Sequence, residues 1–240
     1  MKIGIIVAMD SEYESIKNIL TNYREVTRSS RKFLTGNYKK NELVICVGGI
    51  GKANSASTAT IMIHSYRCSL IINSGCAGAL TSDIAVGNIA VGFDYRYHDV
   101  WCPLTDTARK GELQGVPYTI PFSKNILDKF DISKWDSHRI AHFFTGDQFI
   151  QTEETCDQIL SEASEYIHSF PCICDMESMA IAQTCYQHNI DFMSVRVISD
   201  VPKLEKSKED HMQKYENFWK SMSDKSYQFL KSFLDSHIDS

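Results

Sequence analysis

The chain has no apolar run long enough to cross a bilayer. The longest early one, Ile3–Met9, falls far short of the ~20 residues a spanning helix needs. No small-residue cleavage site lies between Lys2 and the acidic Asp10, Glu12 and Glu14, so the run reads as a buried first strand rather than a secretory leader. There is no basic tract either. The formal net charge is −5 with acids and bases interleaved, which argues against nucleic acid or an anionic membrane as partner. Eight cysteines form no CxxC pair, and no Cys/His set has zinc spacing, so neither a structural metal nor a dithiol redox centre is expected. Several lie inside apolar runs, as in Val44-Ile45-Cys46-Val47, and read as small core residues in a reducing cytoplasm. With five prolines, no repeats, no low-complexity segment and no shift of composition, residues 1–240 read as one domain.

A hydrophobic fraction of 43% and a charged fraction of 23% are globular values. Apolar runs alternate with helical patterns. Ile3–Val7 reads as a strand, and Ser11-x-x-Glu14 as a capping box opening a helix with Tyr13, Ile16 and Leu20 inward. Lys32–Tyr38 and Glu42–Val47 read as strands, and Gly48-Gly49-Ile50-Gly51 leads into a helix through Tyr66 with Ala53, Ala56 and Ile63 on one face. Further strands are expected at Ser69–Asn73, ahead of a second glycine-rich turn, and at Asn88–Phe93, Arg139–Thr145 and Phe192–Ile198. A helix is expected over roughly 208–236, with Met212, Tyr215, Trp219, Met222, Phe229 and Phe233 at helical spacing. Segment 101–122 reads as a long loop or hairpin. The pattern predicts an α/β fold, a three-layer α/β/α sandwich around a central, largely parallel mixed twisted sheet.

The glycine-rich segments do not hold a nucleotide cofactor. Gly51-Lys52 is followed by Ala53 and preceded five positions earlier by Cys46, so it is not a Walker A loop. Gly75-x-x-Gly78 lacks the third glycine of a dinucleotide fingerprint. What remains is close backbone approach of a small ligand. The acids say more. Glu12 lies just past the first strand, Asp175 and Glu177 follow the run Cys172–Cys174 and open a helix, and Asp200 ends the strand Phe192–Ile198. Taken singly, each is a cap or a solvated carboxylate. Together, at strand ends that an open α/β sheet can gather into one crevice, they point to acid–base chemistry.

Five stretches carry a resemblance to a known family. They are Ile3 through Glu12, Gly49-Ile50-Gly51-Lys52, Ile71–Gly78 with Val86-Gly87-Asn88-Ile89, Gly146-Asp147-Gln148-Phe149-Ile150, and Asp175-Met176-Glu177-Ser178 with Val195 through Asp200. In that order and spacing the chain resembles the methylthioadenosine/S-adenosylhomocysteine nucleosidases of the nucleoside phosphorylase superfamily. The resemblance implies a hydrolase that frees adenine from a 5′-modified nucleoside, with no cofactor and no metal. It makes Asp200 the acid that protonates adenine N7, a task for which a carboxyl near neutrality needs about 4 kcal/mol of help from its surroundings. It makes Glu12 the base that activates the attacking water. Glu177 then accepts from the ribose hydroxyls, Met176 lies against the sugar, Phe149 stacks on adenine and the Ile150 backbone reads the base edge. Ile50, Cys76, Ser199 and Tyr215 complete the substrate contacts, Asp175 supports them, and Arg196 is structural. Phe149, Ile150 and Met176 also read as ordinary core residues.

The chain departs from the family where Cys76 and Ala79 stand in place of serine and glycine, where extra residues fall around Lys203–Glu209, and where Val100-Trp101-Cys102-Pro103 replaces an acidic and aromatic segment. The nearest alternative is a phosphorolytic enzyme, which needs arginines for phosphate where this chain has Asp10-Ser11-Glu12 and Asn73. A catalytically silent nucleoside-binding protein on the same fold is the other; it has no need of Glu12, Glu177 and Asp200 together. The resemblance also implies a homodimer through the helix opened by Lys52 and segment 98–120, where Val100, Trp101, Leu104, Leu113, Val116 and Tyr118 would otherwise be exposed.

Overall fold

The fold is described from a computed structural model covering residues 1–20, 22–104, 108–123, 126, 140–167, 170–204, 218 and 225–235. Strand β1 (Lys2–Val7) is the reason two cores exist. Its side chains alternate between one cluster holding Ile3, Ile5 and Val7 and another holding Ile6, so both faces of the strand are buried. Helix α1 (Asp10–Ile16) and the terminal helical stretch 225–235 cover the first face, where Ile16, Leu230, Phe233 and Leu234 are buried. Helix α2 (Lys52–Tyr66) covers the second with Ala59, Met62 and Ile63.

The cap of α1 is not the expected Ser11–Glu14 pair. The helix starts at Asp10, and Glu12 turns back to accept from the Ala8 and Met9 N–H groups, while exposed Glu14 pairs with Lys17. A buried carboxylate beside two unsatisfied donors makes the stronger cap. Ile16 and Leu20 are buried and Tyr13 half-buried, as expected. On α2 the inward stripe is Ser55, Thr58, Ala59, Met62 and Ile63. Ala53 is exposed, because two residues along a helix turn it about 200° from Ser55.

Strands β2 (Tyr23–Arg28), β3 (Arg31–Tyr38) and β4 (Asn41–Val47) form an antiparallel edge, with β4 parallel to β1. Strand β2 was not anticipated. It has only Val26 half-buried, and its turn uses Ser29 and Ser30 at φ 49° and 62° in place of the usual Asn-Gly.

Strand β5 (Leu70–Ala79) pairs with β1 over its first half and with β9 (Cys172–Asp175) at its end. Along its other edge it pairs with β10 (Asp191–Asp200). Strands β6 (Ile89–Tyr97) and β8 (Ile140–Thr145) complete the circuit β5–β10–β6–β8–β9, so part of the sheet closes on itself; β7 (Ile120–Pro121) is a short addition to β6. The α/β class and mixed sheet are as expected. Parallel and antiparallel pairings are nonetheless equally represented among the described strands, because the β2–β4 edge and the closure through β6 and β9 are antiparallel.

Gly75–Gly78 is not a turn. It continues β5 in register with Arg196 through Asp200 of β10, and the pairing shifts between Ile198 and Asp200. Helices α3 (Glu153–Glu162) and α4 (Ser178–Gln187) follow β8 and β9. Among the described residues of segment 101–122 the expected loop is present apart from β7, but most of the apolar residues in and just ahead of it turn inward. Val100, Leu113 and Val116 pack on the core, the Tyr118 ring meets the Arg96 and Arg109 guanidinium groups at 5.6 and 5.8 Å, and Trp101 and Leu104 stay exposed. Of the expected terminal helix, 225–235 is helical with Phe233 buried; Met212, Tyr215, Trp219 and Met222 lie outside the described residues.

Candidate active site

The ends of β1, β5, β8, β9 and β10 border one cleft. Glu12 enters it from the start of α1. Its Oε2 accepts from Ala8 N at 2.8 Å and Met9 N at 3.0 Å, and its Oε1 from Cys76 N at 3.1 Å. Burial pushes its carboxyl above the usual range, opposed by Arg196 and by those three N–H donors. The carboxylate is thereby fixed in place while its basicity is raised.

Arg196, on β10 and fully buried, organises the acids on the other side. Its Nε and Nη2 reach Asp175 Oδ2 at 3.0 and 2.7 Å, and Nη2 reaches Glu177 Oε2 at 3.0 Å. Burial works against its charge, but Asp175, Glu177 and Glu12 outweigh it and hold the guanidinium ionised. Asn73, with its amide oriented so that Oδ1 accepts from Arg196 Nη2 and Ser178 Oγ, donates in turn to Ile6 O and ties the arginine to β1. Asp175 is saturated by Arg196, the Thr145 hydroxyl and the Ser178 N–H. Glu177 is less committed, with Gly51 N on Oε1 at 3.0 Å and Arg196 on Oε2. Burial pushes its carboxyl up to about 7 despite the arginine.

Asp200 is buried at the far side of the cleft, where Gly78 leaves room for it: a Cβ at Gly78 would fall 2.9 Å from Asp200 Oδ2. Ser199 Oγ contacts both Ala77 O, at 3.2 Å, and Asp200 Oδ1. One hydroxyl proton cannot serve both acceptors. At any moment it donates to one of them, and either bond keeps Ser199 beside the Asp200 carboxyl at the end of β10.

Ile50 and Phe149, partly exposed at 49% and 38%, face the opening, and Ile150 is buried behind them. Cys76 and Met176 line the space between. The geometry therefore brings together Glu12, Ile50, Cys76, Phe149, Ile150, Asp175, Met176, Glu177, Ser199 and Asp200. Tyr215 lies outside the described residues. Sequence reasoning missed Asn73 as the arginine's partner, Ser178 beneath Asp175, and Cys174 in the wall. Only Ser178, three residues after Asp175 at a helix start, carried a recognisable signal. Among the described residues no three His, Cys, Asp or Glu side chains are grouped as metal ligands.

The family model of the phosphorylase superfamily matches residues 2–235. The 5′-methylthioadenosine/S-adenosylhomocysteine nucleosidase of Staphylococcus aureus (strain bovine RF122 / ET3-1) is 35% identical over 204 residues, 83% of this chain and 86% of the relative. The chain belongs to the phosphorylase superfamily and, within it, to the 5′-methylthioadenosine/S-adenosylhomocysteine nucleosidase family. Solved structures agree. The S-adenosylhomocysteine nucleosidase from Streptococcus pyogenes, in complex with 5-methylthiotubericidin, superposes with a TM-score of 0.85 at 29% identity, covering 98% of this chain and 96% of that one. The futalosine hydrolase of Helicobacter pylori strain 26695 is similar at a TM-score of 0.86 and 25% identity, covering 98% and 97%.

Proposed function

We propose that the protein hydrolyses the N-glycosidic bond of 5′-methylthioadenosine, S-adenosylhomocysteine or both, releasing adenine and a 5′-thioribose. The observation that carries this reading is the convergence of Glu12 and Asp200, each with its own set of partners, on one cleft that also holds Glu177. Adenine lies against Phe149 with its edge read by the Ile150 backbone. Asp200 gives its proton to N7 and the base leaves as a neutral species. The departing electrons leave positive charge on the sugar, and Glu177 and Met176 hold the ribose while it develops. Glu12 takes a proton from water as the oxygen attacks the anomeric carbon, and burial raises its basicity for that task.

Water rather than phosphate is the acceptor. The donors a phosphate would use at this point, the N–H groups of Ala8, Met9 and Cys76 beside Arg196, are already taken by the Glu12 carboxylate. A second anion at ~4 Å from it would meet about 4 kcal/mol of repulsion at an effective dielectric of 20.

The chain acts as one domain, as a homodimer, and in the cytoplasm, where its eight unpaired cysteines stay reduced. The test is adenine release from methylthioadenosine and from S-adenosylhomocysteine, with and without phosphate. Phosphate-independent release with a free pentose product is expected. A ribose 1-phosphate product moves the protein to the phosphorylases, and no release from either nucleoside removes the reading.

A further inference from the structure

Two irregular turns frame the mouth of the cleft, and they come from distant parts of the chain. One is 49–51, leading into Lys52 at the start of α2, and carries Ile50; the other is 146–149, after β8, and carries Phe149. Asp99, just past β6, joins them. Its Oδ2 accepts from Lys52 Nζ at 2.6 Å and from Asp147 N at 2.8 Å. Asp147 closes the circuit, its Oδ1 accepting from Lys52 N at 2.8 Å and its Oδ2 lying 3.8 Å from Lys52 Nζ. The Lys52 ammonium also sits over the Tyr97 ring, 5.3 Å from its centroid.

The glycines in both turns are fitted to this contact. A Cβ on Gly51 would fall 2.9 Å from Asp147 Oδ1, and one on Gly146 would fall 2.5 Å from the His98 ring and 2.9 Å from Asp99 Cγ. Gly51, at φ 95°, occupies a conformation that side-chain-bearing residues disfavour. Lys52 and Asp99 are mostly buried, which makes the pair stronger than a surface ion pair. The circuit also reaches the carboxylates, because Gly51 N donates to Glu177 Oε1.

We infer that Lys52, Asp99 and Asp147 form a latch that fixes the gap between Ile50 and Phe149, and that Asp99 is a positioning residue for nucleoside binding. The inference rests on the reading of the cleft as a nucleoside site. It couples the side that meets the base, through Phe149, to the side that meets the sugar, through Gly51 and Glu177. The chemistry of Asp200 and Glu12 lies outside the circuit, so the latch acts on affinity more than on turnover.

Steady-state kinetics with methylthioadenosine and calorimetry with adenine test this on Asp99→Ala, Lys52→Met and the double variant, with sizing and thermal melting alongside. Each single change is expected to raise KM and weaken adenine about ten-fold, ~1.4 kcal/mol. The value of kcat should stay within about three-fold and the oligomeric state should stay that of the wild type, while the melting temperature falls modestly as one mostly buried partner is left unpaired. The double variant should be no worse than the worse single, because one circuit is broken only once. Asp99→Asn, which keeps an acceptor for Asp147 N–H, should fall between. Unchanged KM and adenine affinity, additive effects in the double variant, or a kcat that falls in step with melting temperature overturns the latch. If Asp99→Ala does not fold, Lys52→Met carries the same comparison. If the wild type does not cleave methylthioadenosine, the proposed activity fails while adenine calorimetry still decides the latch.

Discussion

Gly75 and Glu12 share a space that no larger residue at position 75 could enter: a Cβ there would fall 2.5 Å from Arg196 Nη1 and closer still to Glu12 Oε1. Gly75→Ala should therefore push apart the fixed carboxylate and the guanidinium opposite it. Overpacking of this kind costs about 1–3 kcal/mol of stability, and a displacement near 1 Å costs ~10²-fold in rate. Circular dichroism should show a folded protein, and adenine release should be nearly lost. Wild-type turnover in the alanine variant would mean that Glu12 is not held for catalysis.

Asp200→Asn should fold and bind nucleoside but lose adenine release by ~10²–10⁴-fold, since an amide cannot deliver a proton to N7. Retention of more than about half the wild-type turnover would remove Asp200 from its role.

Glu12→Gln and Glu177→Ala should separate binding from chemistry. The glutamine keeps one acceptor oxygen for Ala8 and Met9 but turns an NH₂ toward Cys76 N–H, so a stability loss of about 1–3 kcal/mol is expected. Turnover should vanish while nucleoside affinity persists, because water is activated only after binding. Glu177→Ala removes the acceptor for the ribose hydroxyls and should weaken binding by roughly 1.5–3 kcal/mol. Equal losses of affinity in calorimetry would show that the two acids do not divide the work this way.

How much of this was legible in the sequence depends on whether a residue acts through its own side chain or through another's backbone. Glu12, Glu177 and Asp200 stand at element boundaries, where any one of them reads as a cap; it is the three together that point to a shared crevice, and they converge in space. The apolar run of β1 was equally plain, since a strand buried on both faces needs no alternation. The cap of α1 was misread because Ser11-x-x-Glu14 fits the local rule, and only the fold reveals that Glu12 has Cys76 N–H as a third partner. Gly75–Gly78 looked like a turn because glycine usually marks one, whereas here it admits neighbouring carboxylates beside a continuous strand. Strand β2 was invisible because an exposed polar edge carries no hydrophobic period. Asp99 and Asn73 act across long sequence separations and leave no local trace.

Stability should depend on pH through Glu177. Burial pushes its carboxyl up to about 7 in the folded protein, against an ordinary value of 4.5. Between those values the folded protein holds a proton that the unfolded chain releases, so this group disfavours folding increasingly as pH rises through the window and by a constant amount above it. The pairing with Arg196 offsets part of the burial cost without reversing it. The melting temperature of Glu177→Gln relative to wild type should therefore rise between about pH 5 and pH 8, equivalent to up to about 3 kcal/mol. The opposite slope from His98, whose ring burial keeps neutral, is present in both proteins and cancels in the difference. A difference constant across the range would show that Glu177 titrates in the folded protein as it does in the unfolded chain.

The proposed homodimer makes the last prediction, and the fold narrows the residues on which it turns. Val100, Leu113 and Val116 pack on the protein's own core, so they supply no exposed patch. Trp101 and Leu104 do, at 61% and 69% exposure, shortly after β6 in a segment whose Tyr118 meets the Arg96 and Arg109 guanidinium groups. A large aromatic held outward on an anchored loop loses little conformational freedom when a partner covers it, and such residues concentrate at interface centres. The outward face of α2 offers Ala53, Ser57 and Thr60, small side chains that let a second backbone come close. Light scattering at micromolar concentration should give a dimer for the wild type and a monomer for Trp101→Glu. Because Trp101 is mostly exposed in its own subunit, the variant's melting temperature at low concentration should stay close to that of dissociated wild type. Its KM should rise as the cleft loses its neighbour, with kcat less affected. A wild type that is strictly monomeric and fully active excludes the dimer, and a Trp101→Glu protein that stays dimeric with unchanged kinetics places the interface elsewhere.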